Sequence, residues 1–403
     1  MLSEQSTNVV RETLPAIGGA INDITPRFYA RMFDAHPELI RDVFNRGNQA
    51  QGEQPKALAA SIAAYATMLV APGGPPAPST LERIAHKHAS LGVVEDQYLI
   101  VHKHLFDAIV EVLGEAVTPE VAAAWDEVYW HMARDLIAAE RSLYRGAGVS
   151  DGDVWRDLVV AERHEVGGDA ASFVLADPDG APLPGFTPGQ YVSVQVPMAD
   201  GARQIRQYSL SWSPRRDRWR IGVRRVPSLG GDPAGEVSSM LVDTLEEGQH
   251  LRTSLPFGDL RLADGDAPLV LVSAGIGCTP MMGILDHLAY GEAPGRRSVT
   301  IVHADATPAR HPYREELPGL AEQIDGAALH TWYESLDGVP ASSTTHEGWV
   351  DMGKVPVPLD ADVYLCGPLP FMSLVHDQLV ALGVSPLQIR YEVFGPDTWL
   401  PSA

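Results

Sequence analysis

Hydrophobic positions change their spacing twice along this chain. Through about residue 147 they recur at helical intervals, in segments such as RFYARMF, PELIRDVFN and LERIAHKHASL. Thr118-Pro119 opens a helix expected over Glu120–Tyr144, and Thr80 is expected to cap the helix that carries Arg83 and Ile84. Gly146–Asp153 reads as a linker. From Trp155 the period becomes two, in RDLVVAERHEV, ASFVLA, QYVSVQV, RQYSLSW and WRIGVRRV, with turns such as Pro178-Asp-Gly between them; this predicts a small antiparallel barrel. From Pro268 apolar strands (LVLVSAG, SVTIVHA, ALHTWYE, DVYLCGP, QIRYEVF) alternate with helical stretches, the pattern of a parallel α/β sheet. Proline supports the first boundary: 9 of 32 lie in residues 1–150, four of them in the loop Ala71–Thr80. The expectation is a multidomain chain: all-α over 1–147, antiparallel β-barrel over 153–263 and α/β over 267–403.

Composition narrows the function classes. At 403 residues the chain exceeds one ordinary core, and 45% hydrophobic with 20% charged residues describes a folded, non-fibrous protein. A net charge of −22 argues against nucleic acid or an anionic membrane as partner, because phosphate binding needs clustered Lys and Arg. The long apolar run Ala267–Leu285 is broken by Ser, Gly, Thr and Pro, so no membrane span is expected. The start, MLSEQSTNVV, has no signal-peptide pattern, and two cysteines, Cys278 and Cys366, make no disulfide framework. A cytoplasmic monomer is expected.

Four motifs carry chemistry. Gly275-Ile276-Gly277-Cys278-Thr279-Pro280 joins a strand to a helix: its glycines permit close approach of a pyrophosphate, and the free N–H groups of a first helical turn attract anions. It lacks the third glycine of the common dinucleotide fingerprint. Arg206-Gln207-Tyr208-Ser209 offers a guanidinium, an aromatic face and a hydroxyl on one strand. Gly235-Glu-Val237-Ser238-Ser239 precedes a helix, and Cys366-Gly367-Pro368 ends another strand. Among the histidines, His86 and His88 stand about 200° apart around a helix, so at most one can face a given metal. There is no HExxH and no nearby Cys pair, which leaves an axial haem histidine open.

The barrel and α/β motifs, in this order, resemble the ferredoxin–NADP reductase family from about residue 153 onward. Together with RFYARMF, PELIRDVFN, IAHKHASL, EDQYLIVHKHL, PGQY and YEVFGP, the whole chain resembles a flavohaemoglobin, a globin fused to an FAD/NAD reductase. The resemblance implies haem b, FAD and NAD(P)H as cofactors. It implies His88 as the haem iron ligand, with Phe28, Phe44 and Leu58 lining the haem. Tyr29 and Gln54 would be the polar groups of the oxygen side, and Tyr98 and Glu140 would brace His88 from behind. A carboxylate behind an axial imidazole raises its basicity, which favours oxygen activation over storage. Lys87 and Glu392 would tune the redox centres. FAD would be held by Tyr191, Arg206, Gln207, Tyr208, Ser209, Gly235, Val237, Ser238, Val393, Phe394, Gly395 and Pro396, and NAD(P) by Gly275, Ile276, Gly277, Cys278, Thr279, Pro280, Cys366, Gly367 and Pro368. Two positions depart from the pattern: Cys278, where glutamine is frequent, and Val393, where cysteine is frequent.

The activity so implied is nitric oxide dioxygenase: NO and O2 combine to nitrate at a haem reduced by NAD(P)H through FAD. Two other readings stay open on the sequence, an oxygen-binding or sensing globin whose reductase only keeps iron ferrous, and a haem-less oxidoreductase with a vestigial helical part. NADH and NADPH are not distinguished, since Arg310 and Arg314 form no decisive motif. Cys278 and Cys366, at the ends of neighbouring strands, are a candidate redox pair.

Overall fold

The computed structural model describes residues 2–50, 52–71, 78–228, 233–291 and 297–395. Among these the chain forms two compact units, one of residues 2–155 with 195–205 and 395, the other of 156–194 and 206–394.

Among its described residues the first unit has seven α-helices: α1 (Glu4–Ala35), α2 (Pro37–Asp42), α3 (Arg46–Ala50), α4 (Glu53–Val70), α5 (Pro78–Leu91), α6 (Glu95–Leu113) and α7 (Pro119–Gly146). α7 begins where Thr118 predicts, its side-chain oxygen accepting the Val121 N–H at 3.3 Å. α5 instead begins at Pro78, two residues before the expected cap at Thr80, with proline occupying the first turn, where its missing N–H costs nothing. Of the Pro/Gly-rich loop, residues 72–77 lie outside the described residues. Burial on α7 falls at Trp125, Val128, Tyr129, Ala133, Leu136, Ile137, Glu140 and Tyr144, one stripe of helical spacing. Glu140 therefore holds a position where an apolar residue would pack. The core this stripe completes includes Ile24, Phe28, Tyr29 and Met32 of α1 and Tyr98, Leu105 and Ala108 of α6.

The second unit carries two sheets. Strands β1 (Trp155–Gly167), β2 (Ala170–Ala176), β3 (Tyr191–Pro197), β4 (Arg203–Ser209) and β5 (Trp219–Arg224), with β6 (His250–Ser254) after helix α8 (Glu236–Thr244), form a sheet of order β4-β3-β6-β1-β2-β5. β1–β2 and β2–β5 pair antiparallel. Leu210, just past β4, bridges Ile221 of β5 and so joins the two ends of the sheet. The tip of β3–β4, residues 195–205, belongs to the first unit.

The second sheet is parallel, order β10-β9-β8-β7-β11-β12. Its elements in chain order are β7 (Leu269–Ala274), α9 (Cys278–Tyr290), β8 (Val299–Asp305), α10 (Glu316–Glu322), β9 (Ala328–Tyr333), β10 (Thr345–Glu347), β11 (Asp362–Cys366), α11 (Leu369–Ala381) and β12 (Ile389–Glu392). The order reverses at β7, and the carboxyl ends of the strands at such a switch point, here β7 and β11, are the usual place for a dinucleotide. One face of β5 meets this half of the unit: Arg220 binds Glu316 at 2.8 and 3.0 Å, Gly222 leaves space for Tyr313, and Arg224 binds Asp305 at 3.0 Å. These positions alternate, so one strand face supplies the whole seam. Tyr313 adopts φ 58°, a strained value for a bulky side chain, to enter the gap at Gly222.

Candidate functional site: a histidine with a carboxylate brace, and two cofactor cradles

α5 and α7 set His88 against Glu140. His88 Nδ1 lies 2.8 Å from Glu140 Oε1 and 3.1 Å from the Tyr98 hydroxyl, and that hydroxyl donates to the same Oε1 at 2.5 Å. Glu140 is 2% exposed, so this charge is tolerated because two donors converge on it. Burial first, and the Glu140 charge next, hold the Tyr98 hydroxyl well above the usual tyrosine range, so it stays a donor. Gln97 Oε1 accepts the Val94 N–H at 2.9 Å and fixes the start of α6, which puts Tyr98 in its first turn; Tyr129 clamps the Tyr98 carbonyl at 2.6 Å. With Nδ1 donating to the carboxylate, the imidazole keeps its Nε2 lone pair for a metal. That tautomer suits an axial haem ligand. His86, by contrast, is buried at 2%, and His102 binds Asp126 at 2.7 Å.

On α1, Tyr29 is 5% exposed with its ring between Phe28 (4.7 Å), Phe33 (5.6 Å) and Phe44 (5.8 Å, edge-on). Its hydroxyl is faced by two carboxamides, Gln54 and Gln49; burial pushes its pKa up, and the carboxamides draw it part of the way back. Gln49 Nε2 is itself buried, with no hydrogen-bond partner among the described residues. Leu58 stands one turn from Gln54 on α4, and Ile62 one turn further borders an apolar cavity shared with Ile17, Tyr65, Leu105 and Val128. Tyr29, Phe28, Phe44, Gln54 and Leu58 thus share one core with Tyr98. A polar cap set in apolar walls fits a small ligand on a haem.

In the second unit, Arg206 and Tyr208 share one face of β4, and Gln207 and Ser209 the other. Gln207 Nε2 donates to Ser193 Oγ at 3.0 Å, while Ser209 Oγ is buried with no protein partner among the described residues. Ser239 Oγ, in the first turn of α8, is in the same condition. Two orphaned hydroxyls, one at the end of β4 and one in the first turn of α8, fit a polar, phosphate-bearing cofactor such as FAD. Gly235 is required by Ser238, whose Oγ would lie 2.7 Å from any Cβ there; that Oγ accepts the Val226 N–H and donates to Gly235 O. Val237 is 1% exposed, so its side chain is core and only its backbone can face a ligand. Tyr191 pairs with Phe257 through both backbone bonds, 2.7 and 2.9 Å, and its ring lies on Gly258. At the carboxyl end, Phe394 is 47% exposed, Val393 packs on the core of the parallel sheet, Gly395 follows at φ 152°, and Pro396 lies outside the described residues.

The GxGxTP and CGP segments meet. A Cβ on Gly277 would stand 2.5 Å from Cys366 O, and one on Gly367 would lie 3.2 Å from Ala274 Cβ. Gly275 turns at φ 55°, Thr279 Oγ1 donates to Ile276 O at 3.0 Å, Pro280 is buried in the first turn of α9, and Pro368 precedes α11. Glu392, 7% exposed, pairs in register with Cys366. Lys87 precedes His88 on α5, its carbonyl accepting the Ser90 hydroxyl at 2.8 Å. Both cysteines are free and buried, and burial pushes the Cys278 thiol up to about 12 and the Cys366 thiol well above its usual range. Neither is a ready thiolate, which removes the driving chemistry of a redox pair.

Three groups at these sites escape sequence reasoning. Gln49 faces Tyr29, Arg224 places its Nη1 2.8 Å from where a Gly275 Cβ would be, and Gln204 is fully buried against α2 and α3. For Arg224 a signal existed, since it continues the alternation Arg220, Gly222, Arg224 on β5. A cation beside the glycine turn fits an anionic dinucleotide.

Three family models match the chain: globin over residues 26–136, oxidoreductase FAD-binding domain over 157–262 and oxidoreductase NAD-binding domain over 271–377. The chain is 40% identical over 407 residues to a flavohemoprotein of Rhizobium meliloti, covering 98% of this chain and 99% of that one. A flavohemoprotein of Bacillus subtilis is 35% identical over 405 residues, covering 98% of each. Among solved structures, the flavohemoglobin of Malassezia yamatoensis with bound FAD and haem matches with a TM-score of 0.87 and 35% identity, over 98% of this chain and 100% of that one. No helix among the described residues is long and apolar enough to cross a membrane. The globin fold, the two oxidoreductase modules and full-length relatives of this identity agree: the chain belongs to the flavohaemoprotein family, oxidoreductases that carry haem, FAD and a nicotinamide dinucleotide.

Proposed function

We propose that the protein is a nitric oxide dioxygenase that converts NO and O2 to nitrate with electrons from NAD(P)H, and so removes NO. The observation that carries this reading is the brace on His88: a buried carboxylate bonded to the ring nitrogen and to Tyr98, an arrangement suited to activating oxygen rather than storing it. A crystallised FAD/NAD-binding domain of a nitric oxide dioxygenase from Vibrio cholerae is 36% identical, covering 60% of this chain and 99% of that one, with a TM-score of 0.55.

Haem, when bound, would supply the iron for the reaction of the two gases, and FAD would supply the exchange between a hydride and single electrons. The rest is the work of this chain. His88, oriented by Glu140, is the iron ligand, and Phe28, Phe44 and Leu58 wall the haem. Tyr29 keeps its proton and donates on the oxygen side, steadied by Gln54. The apolar cavity beyond Ile62 admits a small apolar gas. Arg206, Tyr208, Ser209 and the first turn of α8 hold FAD; the Gly275–Pro280 turn and Cys366–Pro368 hold the dinucleotide against it and exclude water. Lys87 and Glu392 place charges that adjust the redox centres. The free cysteines suit a reducing cytoplasm. Each hydride carries two electrons, enough for two turnovers in which one NO and one O2 leave as one nitrate.

Aerobic NO turnover measured with NADH and NADPH in parallel tests this. NAD(P)H consumption that rises on adding NO, with nitrate formed, supports it. Consumption indifferent to NO, with no nitrate, sinks it and favours an oxygen-binding role.

A further inference from the structure

The segment that carries Phe44 is fastened by a side chain that does not belong to the helices. Residues 37–50 form two helices of six and five residues with a turn between them, and helices this short have little stability of their own. Gln204, the second residue of β4 and 0% exposed, reaches into that turn. Its Nε2 donates toward the carbonyl oxygens of Ile40 (3.4 Å), Arg41 (3.2 Å) and Phe44 (3.3 Å). Its Oε1 accepts the Arg46 N–H at 3.2 Å. The Ile40 and Arg41 carbonyls close α2 and the Arg46 N–H starts α3, groups that a helix end leaves without an intrahelical partner, while the Phe44 carbonyl lies in the turn between them. One carboxamide serves both ends.

Two other ties flank it. Asp42 Oδ1 accepts the Arg203 N–H at 3.0 Å, and Arg46 pairs with Asp200 at 2.5 Å. Neither of these bonds is made to Phe44, whereas Gln204 holds the Phe44 carbonyl directly. The turn at residues 43–46 sets the Phe44 ring, which meets Tyr29 edge-on at 5.8 Å, and starts the helix bearing Gln49, which faces the Tyr29 hydroxyl.

We infer that Gln204 is a positioning residue for the haem pocket: its carboxamide fixes the turn between α2 and α3 and, through it, the placement of Phe44 and Gln49 against Tyr29. This rests on the reading of Tyr29 and Phe44 as haem-pocket residues. A carboxamide is needed because the site asks for donors on one side and an acceptor on the other. Glutamate at 204 would turn a second oxygen toward three carbonyls, and methionine would keep the length while neither donating to the carbonyls nor accepting from Arg46.

The test uses the full-length holoprotein. The C–O stretching band of the ferrous carbonyl complex and the O2 dissociation rate are measured for wild type, Q204M, Q204E and D42A, with NAD(P)H-to-ferricyanide turnover as the flavin control. Q204M and Q204E are expected to shift or split the C–O band and to release O2 about five- to ten-fold faster, the factor one ordinary hydrogen bond commands. D42A is expected to leave both as in wild type, and ferricyanide turnover is expected to stay at the wild-type rate throughout. Should Q204M not fold, Q204E is read in the same way. A band and rate unchanged in the Gln204 variants overturn the inference, as does a D42A shift equal to that of Q204M, which would mean general loosening. A wild-type protein with no haem carbonyl band overturns the haem reading itself, a separate and recognisable failure.

Discussion

Replacing Glu140 by glutamine probes the brace on His88 with little change of shape. The carboxylate accepts from His88 Nδ1 at 2.8 Å and from Tyr98 at 2.5 Å while 2% exposed, so both bonds are charge-assisted in a dry setting. Glutamine can keep an acceptor oxygen there but not the charge. A bond to a charged acceptor contributes about 1.5–3 kcal/mol against about 0.5–1.5 kcal/mol for a neutral one, so the His88 bond weakens by about 1–2 kcal/mol. If that difference acts mainly on the oxidised centre, which a negative charge favours, the haem reduction potential rises by about 40–90 mV on the one-electron scale of 59 mV per factor of ten. Spectroelectrochemical titration of the haem in E140Q and wild type reads this shift, and Tyr98→Phe in both backgrounds separates the tyrosine's share. A potential that does not move, or that falls, would refute the argument that Glu140 acts on the metal through His88.

Three further outcomes follow from the second unit. His303 and His311 stack at 3.9 Å with burial depressing them to about 3 and about 2. The unfolded chain then takes up protons below about pH 6.5 while the folded one does not, so stability falls as pH drops from 6.5 toward 3, by about 1.4 kcal/mol per pH unit for each histidine. Urea unfolding against pH should give a shallower slope in His303→Gln; an identical slope would contradict the assignment. Gly277→Ala sets a Cβ 2.5 Å from Cys366 O, and backbone must move at a cost of about 1–3 kcal/mol, so the KM for NAD(P)H should rise while haem content holds; an unchanged KM would show that the two segments need not touch. Arg224→Ala removes the cation beside Gly275 and takes from Asp305, whose side chain is 4% exposed, its guanidinium partner, leaving it the Ala306 N–H. The KM for NAD(P)H should rise about ten-fold, the weight of a charge-assisted hydrogen bond, with ferricyanide kcat less affected; the reverse split would place Arg224 outside the dinucleotide site.

The order of layers was readable from β-branched, strand-length segments at β1, β2, β3 and β5, apolar runs at β7, β8 and β11, and a capped amphipathic α7, although burial alternates only in part of β1 while β2, β3 and β5 are buried on both faces. Short elements escaped this reading. β6 and β10 have five and three residues, too few to show a period. Thr80 was expected as a cap where Pro78 opens the helix, because a cap signal and a first-turn proline two residues apart compete and sequence does not rank them. Glu140 is instructive: taken alone it reads as a solvated charge, yet the stripe Ala133, Leu136, Ile137, Tyr144 marks its position as core. A buried acid on an apolar stripe signals a partner. What no local pattern could give is Gln204 with Phe44, or Arg224 with Asp305, because each pair is separated by about eighty residues or more and meets only through the fold.

The central claim is that both atoms of O2 join NO at this haem. Turnover of NO under 18O2 with NAD(P)H, followed by mass spectrometry of the product, tests it most directly. The account predicts nitrate carrying two 18O atoms with one oxygen kept from NO; nitrite alone, or nitrate with one label or none, would contradict it.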